Sequence, residues 1–395
     1  MPEPSSAAKS LTVAYYLPQF HAIPENDEWW GPGFTEWVNV DRAEPQFDMH
    51  DHPRESVELG QYDLNDVSVM HRQAKMAADH DVDAFCFYFY WFDGHRLLER
   101  PLDNYVENGP EFPFCISWAN ENWTRRWDGK ESEVLIGQNY SDTTADEIFA
   151  TFLPYFCDKR YLRVDDELVL IVHRIDHIPD SQGMIDRWRF LARSNGLGEL
   201  RVVAAETKFG ITPDAYGVDA IAEFPPVGSN TLRSALMLPI RGLNKEFAGR
   251  LMSYTRMATR FMKRKESNFI RYRGVAPGWD NTARRGKKAT IYVGHSPSIY
   301  GEWLAHARLQ EDRREGGRGL VFINAWNEWA EGAYLEPDAT WGTAFLQATR
   351  RDSSFVHQPQ KINVGMPSVP WLRSLTQATL GTGLAIFRRL PLQKR

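Results

Sequence analysis

Eight apolar, β-rich runs alternate along this chain with segments of helical periodicity, and such alternation calls for parallel strands joined by crossover helices. The runs are residues 11–16, 83–90, 113–117, 168–172, 200–205, 220–224, 272–276 and 320–325. Between them, residues 66–79, 144–157, 182–194, 244–265 and 298–313 carry apolar side chains three and four apart, the pattern of a helix with one buried face. Eight such units predict an α/β fold, a single (β/α)8 or TIM barrel. The competing architecture, an open doubly wound sheet, places a glycine-rich phosphate loop after its first strand. Here the first strand runs into Leu17-Pro-Gln-Phe-His21, which has no glycine.

A barrel with insertions accommodates 395 residues. About fifty residues separate the first strand from the first strong helix, a length associated with functional insertions. That insertion carries Trp29, Trp30, Glu36 and Trp37. The expected division is a barrel domain over residues 1–352 and a flexible basic extension over 353–395. The extension contains Pro359, Pro367 and Pro370 and is too short to bury a core of its own.

Net charge of −6 argues against nucleic acid as a partner, although the charge is unevenly spread. Residues 241–288 hold fourteen Lys or Arg against Glu246, Glu266 and Asp280, a basic stretch whose plain reading is a solvated helix face. After Asp352 come Lys361, Arg373, Arg388, Arg389, Lys394 and Arg395 with no acidic residue. Such a tail can contact an anionic membrane surface peripherally. No run approaches the roughly 18 apolar residues that span a bilayer. Met1-Pro-Glu-Pro-Ser-Ser-Ala-Ala lacks the basic region and apolar run of a secretory leader. Cys86, Cys115 and Cys157 are odd in number and follow no metal spacing. A cytoplasmic protein, at most peripheral at the inner face of the membrane, is expected.

No cofactor and no metal are expected. His21, His95, His173 and His295 are scattered without ligand spacing. There is no nucleophile elbow, Walker loop or dinucleotide fingerprint. Asp165-Asp-Glu167 precedes a strand instead of following one, and reads as a turn.

Barrel enzymes carry their sites at the C-terminal ends of the strands. There this sequence sets His21, then Tyr88 and Tyr90, then Trp118, Asn120, Glu121, Trp123 and Arg125. His173, Glu223, Trp279 and Asp280 follow, and the last strand leads to Trp326, Asn327, Glu328, Glu331 and Glu336. With Trp30, Glu36 and Trp37 from the insertion, carboxylates, amides and aromatics converge on one rim. A sugar needs that mixture: polar groups for its hydroxyls and flat apolar rings for its C–H face. The fourteen Trp, fifteen Tyr and twenty-two Phe fit both this use and a large core.

Breaking a glycosidic bond takes one carboxylic acid to protonate the leaving oxygen and a second carboxylate as base or nucleophile. Glu328 and Glu331, flanked by Trp326 and Trp329, are the candidate pair. Partial desolvation by indoles raises a carboxyl pKa and keeps one group protonated near neutrality. Glu336 divides evenly between a sugar contact and a loop cap.

The motifs Tyr16-Leu-Pro-Gln-Phe-His21, Ile23-Pro-Glu-Asn-Asp27, Trp30-Gly-Pro-Gly-Phe-Thr-Glu-Trp37, Trp118-Ala-Asn-Glu-Asn-Trp-Thr-Arg-Arg-Trp127 and the segment 324–338 resemble the WbsX-like proteins of bacterial polysaccharide gene clusters. Those proteins are usually called glycosyltransferases and are distantly similar to the family-99 glycoside hydrolases, the endo-α-mannosidases. The resemblance runs from Thr12 to Trp341. It implies a barrel, an oligosaccharide or other glycan substrate, free or lipid-linked, and roles for Glu331 as general acid and Glu328 as base toward the 2-hydroxyl. It leaves transfer and hydrolysis open, because one acid–base pair serves either when the acceptor changes from a hydroxyl to water. A sugar-binding barrel without catalysis is the third reading, disfavoured by retention of both carboxylates.

Overall fold

The run Ala84–Phe92 is buried along its whole length, as a strand must be when helices cover one face of a parallel sheet and a barrel interior the other. It is β2 of eight. The computed structural model describes residues 9–125, 130–141, 143–314 and 317–353. In it β1 is Leu11–Tyr16, β3 Phe114–Trp118, β4 Glu167–Val172, β5 Leu200–Ala205, β6 Ala220–Ala222, β7 Arg271–Val275 and β8 Leu320–Ile323. Each pairs in parallel with the next, and β1 pairs with both β8, Leu11 opposite Leu320, and β2, Val13 opposite Ala84. The sheet closes on itself as a TIM-barrel-like α/β fold.

The helices are α1 (Pro24–Trp30), α2 (Glu36–Asp41), α3 (Val67–Ala78), α4 (Arg100–Asn108), α5 (Thr144–Phe156), α6 (Ser181–Ser194), α7 (Tyr254–Met262), α8 (Thr282–Arg285), α9 (Pro297–Asp312) and α10 (Ala344–Thr349). Local chemistry sets several starts. Asp66, Asp180 and Ser296 each accept a backbone N–H of the first turn of α3, α6 and α9, satisfying donors that a helix start leaves open. The insertion after β1 supplies α1 and α2, and Asp165 and Asp166 form the expected turn with positive φ.

One expected helix is corrected. Residues 244–265 do not form a continuous helix: Arg250–Ser253 is a strand paired in parallel with Thr290–Val293, and α7 begins only after it. The apolar spacing there served a different purpose. Phe247 and Leu251 pack with Leu236, Ala289 and Ile291 in a small cluster separate from the main core. Ser253 then accepts from the Arg256 N–H and starts the helix.

Side-chain alternation sorts the aromatics between two layers. On β1, Tyr15 points inward and stacks on Tyr88, with ring centroids 5.6 Å apart. Tyr16 points outward and donates to Gln73 of α3 at 2.6 Å. On β2, Phe87 meets Tyr105 of α4 and Phe89 meets Tyr155 of α5, so Tyr88 and Tyr90 take the inner face. Among the described residues no helix is long and apolar enough to cross a membrane. Of the expected extension over residues 353–395, all but Ser353 lies outside the described residues.

Candidate active site

After β8 the chain makes a tight hairpin: Asn327–Glu328 pairs antiparallel with Ala333–Tyr334, and one 3-10 turn, Trp329–Glu331, lies between. The turn closes at Gly332, with φ of 58°; a Cβ there would meet Arg54 Nη1 at 2.0 Å, so conformation and close approach both require glycine. Side chains three apart eclipse in a 3-10 turn, which brings Glu328 and Glu331 to one side. Both line a cleft of about 730 Å³. Every barrel strand contributes to that cleft at or just beyond its C-terminal end: Leu17, Tyr90, Ala119, His173, Thr207, Phe224, Trp279 and Glu328.

A third carboxylate and one guanidinium complete the centre. Arg284, on α8, donates from Nη1 to Glu331 at 2.7 Å and from Nη2 to Glu328 at 3.0 Å. Its Nε donates to Glu36 at 3.2 Å. Glu36, at the start of α2, is fully buried. Three carboxylates outnumber the one guanidinium they share, which favours the protonated form of the buried pair. Burial pushes Glu328 up to about 8, with Arg284 opposing and the neighbouring Glu331 and Glu36 reinforcing it. Glu331 is raised as well, again chiefly by burial. The pair titrates as a unit.

Glu336 lies behind this centre and does not line the cleft. Its Oε1 accepts from Gln73 Nε2 at 2.6 Å and Trp326 Nε1 at 3.0 Å; its Oε2 accepts from Tyr62 at 2.9 Å and Trp329 Nε1 at 2.7 Å. Burial raises it to about 7 against the pull of those four donors. The two indoles that flank the catalytic candidates are therefore held from behind by a buried carboxylate. Of the two readings of Glu336, neither a sugar contact nor a loop cap describes it.

Of the candidates read from sequence, Trp30, Tyr88, Tyr90, Glu121, Trp123, His173, Trp279, Glu328 and Glu331 line the cleft, and Glu36 joins it through Arg284. Nine others do not reach it. Trp118 faces the helices: β2–β3 register sets it opposite outward-facing Phe89, and it packs on Trp91 and Trp188. Asn120 is buried, exchanging bonds with the backbone of Arg174 and donating to Tyr140. Asn327 spends its amide on both backbone groups of Leu17, tying the β8 loop to β1. Trp37 packs on Phe20, Tyr62 and Trp329; Trp326 is buried on Glu336; His21 turns back to the Pro18 carbonyl. Glu223 is taken by Arg264 and Arg273, each at 3.2 Å. The side chain of Arg125 lies outside the described residues.

Asp280, like Glu336, is corrected from rim to interior. Its Oδ2 receives His50 Nε2 at 2.8 Å, His52 Nε2 at 2.7 Å and Arg54 at 3.1 Å, while Oδ1 caps α8 through the Thr282 N–H at 3.0 Å. These histidines and Asp280 form a group whose ligand atoms lie within 4.8 Å of one another, as in a metal site. The residues fit a cation poorly. His50 Nδ1 accepts the Gln46 N–H, which leaves the ring proton on Nε2, and the Arg54 guanidinium already shares the same carboxylate oxygen. The group is a hydrogen-bonded hub that fastens the β1 insertion to α8.

Residues 12–349 match the family model described as Glycosyltransferase WbsX. The chain belongs to the WbsX family. Two proteins named "Uncharacterized protein WxcX", from two strains of Xanthomonas campestris pv. campestris, are each 44% identical over 341 residues, 86% of this chain and 49% of theirs. This WbsX-family chain thus spans about half the length of the curated relatives it matches. Among solved structures, a "Glycoside hydrolase-like protein" is 13% identical over 88% of this chain and 95% of that one, with a TM-score of 0.53, a likeness of fold. The GH99 endo-alpha-mannosidase from Bacteroides thetaiotaomicron is 14% identical over 96% and 98%, with a TM-score of 0.48.

Arg284 is the functional candidate that sequence reading missed. It sits three residues beyond Asn281 in the segment that follows β7, so its position near the rim was available. Its task was not, because the one turn of α8 that aims it depends on Asp280 being fixed by histidines 230 and 228 residues away.

Proposed function

We propose that this WbsX-family chain is an enzyme acting on a glycosidic bond of a glycan through Glu328 and Glu331. We read the reaction as sugar transfer in the assembly of a bacterial cell-surface polysaccharide, such as the O-antigen of lipopolysaccharide or a capsule. The observation that carries this is the carboxylate pair itself: two adjacent, cleft-lining glutamates sharing Arg284, with burial keeping a proton on one of them near neutrality. Such a pair holds an acid and a base at once. One group protonates the departing glycosidic oxygen, and the other takes a proton from the attacking side. Its resemblance assigns Glu331 as the acid and Glu328 as the base, whereas burial pushes Glu328 up to about 8 and favours the proton there; the comparison of leaving groups in the two variants decides between the assignments. Trp30, Tyr88, Tyr90, Trp123 and Trp279 supply rings for the sugar faces.

The family name supports transfer. Hydrolysis, in the manner of an endo-α-mannosidase, is the alternative, because water can replace the acceptor without any change in the pair. Product analysis with lipid-linked and free oligosaccharides tests both. A lengthened glycan made by the wild type and lost in Glu331→Gln supports transfer; glycan shortened in water with no acceptor supports hydrolysis. Unchanged products in Glu331→Gln remove the pair from the reaction. We also propose a cytoplasmic location, with residues 353–395 touching an anionic leaflet through their six basic side chains. Co-sedimentation with anionic vesicles, with and without those residues, tests it: equal sedimentation of both forms defeats the idea.

A further inference from the structure

The basic stretch at residues 241–288 is not one solvated helix face, because much of it belongs to an excursion between β6 and β7 that has an apolar side of its own. The excursion leaves from the cleft, which Pro226, Val227, Gly228 and Asn230 line. Ala235 then forms an antiparallel bridge with Met252, and the Leu236 N–H donates to the Leu251 carbonyl at 2.9 Å. Residues 235–236 thus run beside the two-stranded sheet of Arg250–Ser253 and Thr290–Val293. The apolar residues here divide into two sets. Leu236, with Ile240 and Leu243, packs on the cluster of Phe247, Leu251 and Ile291. Leu232, Met237 and Leu238 stay half-exposed. The small core uses the first set and leaves the second in water.

Phe209, also half-exposed, extends this surface along the rim. It follows cleft-lining Thr207 by two residues, and a Cβ at Gly228 would meet its ring at 2.2 Å. Two arginines of α7 hold the pieces together. Arg260 lies 5.8 Å from the Phe209 ring centroid and donates to Thr231 Oγ1 at 3.2 Å, next to Leu232; Arg256 donates to the Ala235 carbonyl at 3.1 Å. Single exposed apolar side chains are ordinary, whereas several gathered beside a cleft mouth mark a contact surface. Charge decides the partner. Residues 224–245 contain no Asp or Glu, and Arg233, Arg241 and Lys245 are exposed among the apolar residues. Arg241 pairs with Asp48 at 3.2 Å, while Arg233 and Lys245 have no carboxylate partner among the described residues. A protein interface is rich in aromatic residues and poor in lysine at its centre. Aliphatic side chains set among cations suit an anionic lipid leaflet, where the apolar groups enter the headgroup boundary and the cations meet phosphate.

We infer that the surface made by Phe209, Leu232, Arg233, Met237 and Leu238 lies on an anionic membrane leaflet and sets the mouth of the cleft at the lipid headgroups. The contact belongs to the folded barrel and does not depend on residues 353–395. It rests on the proposed function only for what the leaflet delivers, a glycan carried on a lipid.

The test reads lipid contact at single positions of the full chain. Cys157 is exposed while Cys86 and Cys115 are buried, so Cys157→Ser gives a background for labelling. Leu238→Cys then carries an environment-sensitive nitrobenzoxadiazole label. Phe190→Cys is the control: Phe190 is exposed on α6, next to Arg189, which reaches the Gly217 carbonyl at the opposite rim of the barrel, just before β6. With vesicles of phosphatidylethanolamine and phosphatidylglycerol, the label at 238 should brighten and be quenched by nitroxide-labelled lipid, and the label at 190 should do neither. Arg233→Gln should weaken the affinity read at 238 about fivefold, as suits the loss of one cation at an anionic surface. Thermal unfolding of each variant verifies the fold. An unquenched label at 238, the result expected if residues 353–395 alone touch lipid, overturns the inference. Equal quenching at 238 and 190, or equal affinity for vesicles of phosphatidylcholine, does so as well. A change at 238 that needs no vesicles and grows with protein concentration assigns the surface to a second copy of the chain, and also overturns it. Glu331→Gln separates the contact from the reaction: quenching at 238 persists in that variant, whatever becomes of activity.

Discussion

Arg284 Nη2 donates to Glu328 Oε2 across 3.0 Å, joining a helix of one turn after β7 to the hairpin after β8. The bond sets the charge state of the whole centre, since the same guanidinium also serves Glu331 and Glu36. Arg284→Met removes the positive charge that opposes carboxyl protonation. Both glutamates are then pushed further up, so the deprotonated base is reached only at higher pH, and the rate at neutral pH falls by about 10²-fold or more. Arg284→Lys keeps the charge but loses the planar fork, and restores only part of the rate. A pH–rate profile checks this: the profile of Arg284→Met should shift to higher pH, and an unshifted one would exclude the counterion role.

Glu331→Gln and Glu328→Gln should each lower the rate by about 10²–10⁴-fold, the usual cost of a positioned acid or base. They separate by substrate. A glycoside with an activated leaving group needs little protonation, so it should rescue the variant at the general acid and not the one at the base. Rescue of Glu328→Gln alone would exchange the two roles.

Stability should depend on pH through Glu328. Its folded pKa, raised to about 8, lies above that of an ordinary glutamate. Between those values the folded chain holds a proton that the unfolded chain has released, so stability is greatest at the acid end and is lost as pH rises toward 8. For one proton the slope is at most about 1.4 kcal/mol per pH unit. Melting temperatures from pH 5 to pH 8.5 should fall less steeply for Glu328→Gln than for wild type. Parallel curves would show that Glu328 does not hold the proton.

Glu336→Gln should destabilise without touching the ligand. An amide can accept at one end only, so two of the four donors around Glu336 lose their acceptor and meet an N–H₂ group. The cost is about 1–3 kcal/mol for each buried group left unsatisfied. Denaturant unfolding measures it, and a loss below half a kilocalorie would mean that the four-donor arrangement matters little.

Two tryptophans near each other in sequence should behave differently. Trp123 lines the cleft and Trp118 packs against α6. Trp123→Ala should raise KM several-fold with a smaller change in stability, since one ring contact contributes about 0.5–1.5 kcal/mol. Trp118→Ala should cost about 3–5 kcal/mol of stability. Equal KM effects in the two variants would contradict the inward and outward assignment.

The barrel was legible because buried parallel strands show themselves as apolar runs whatever their neighbours are. The eight barrel strands fall within about two residues of the expected spans, closer than boundaries read from pattern often come. Which rim residues meet a ligand was less legible. Trp118 and Trp123 have the same composition around them, and only strand register decides that one faces out. Glu223 and Asp280 read as cleft carboxylates because their arginine and histidine partners lie far away in the chain. The strand Arg250–Ser253 was hidden because Leu251 and Met252 also fit a helical stripe.

The centre draws on the two extremes of the barrel's sequence. Glu36 meets Arg284 across 248 residues, and Leu17 bonds Asn327 across 310. A chain made from its N-terminus holds Glu36, His50 and His52 long before their partners are synthesised, and contacts of such separation form late. The acid–base pair can therefore gain its counterion and its weakened acidity only after β8 has docked on β1. Until that moment a partly finished chain carries ordinary, ionised glutamates and no reactive pair.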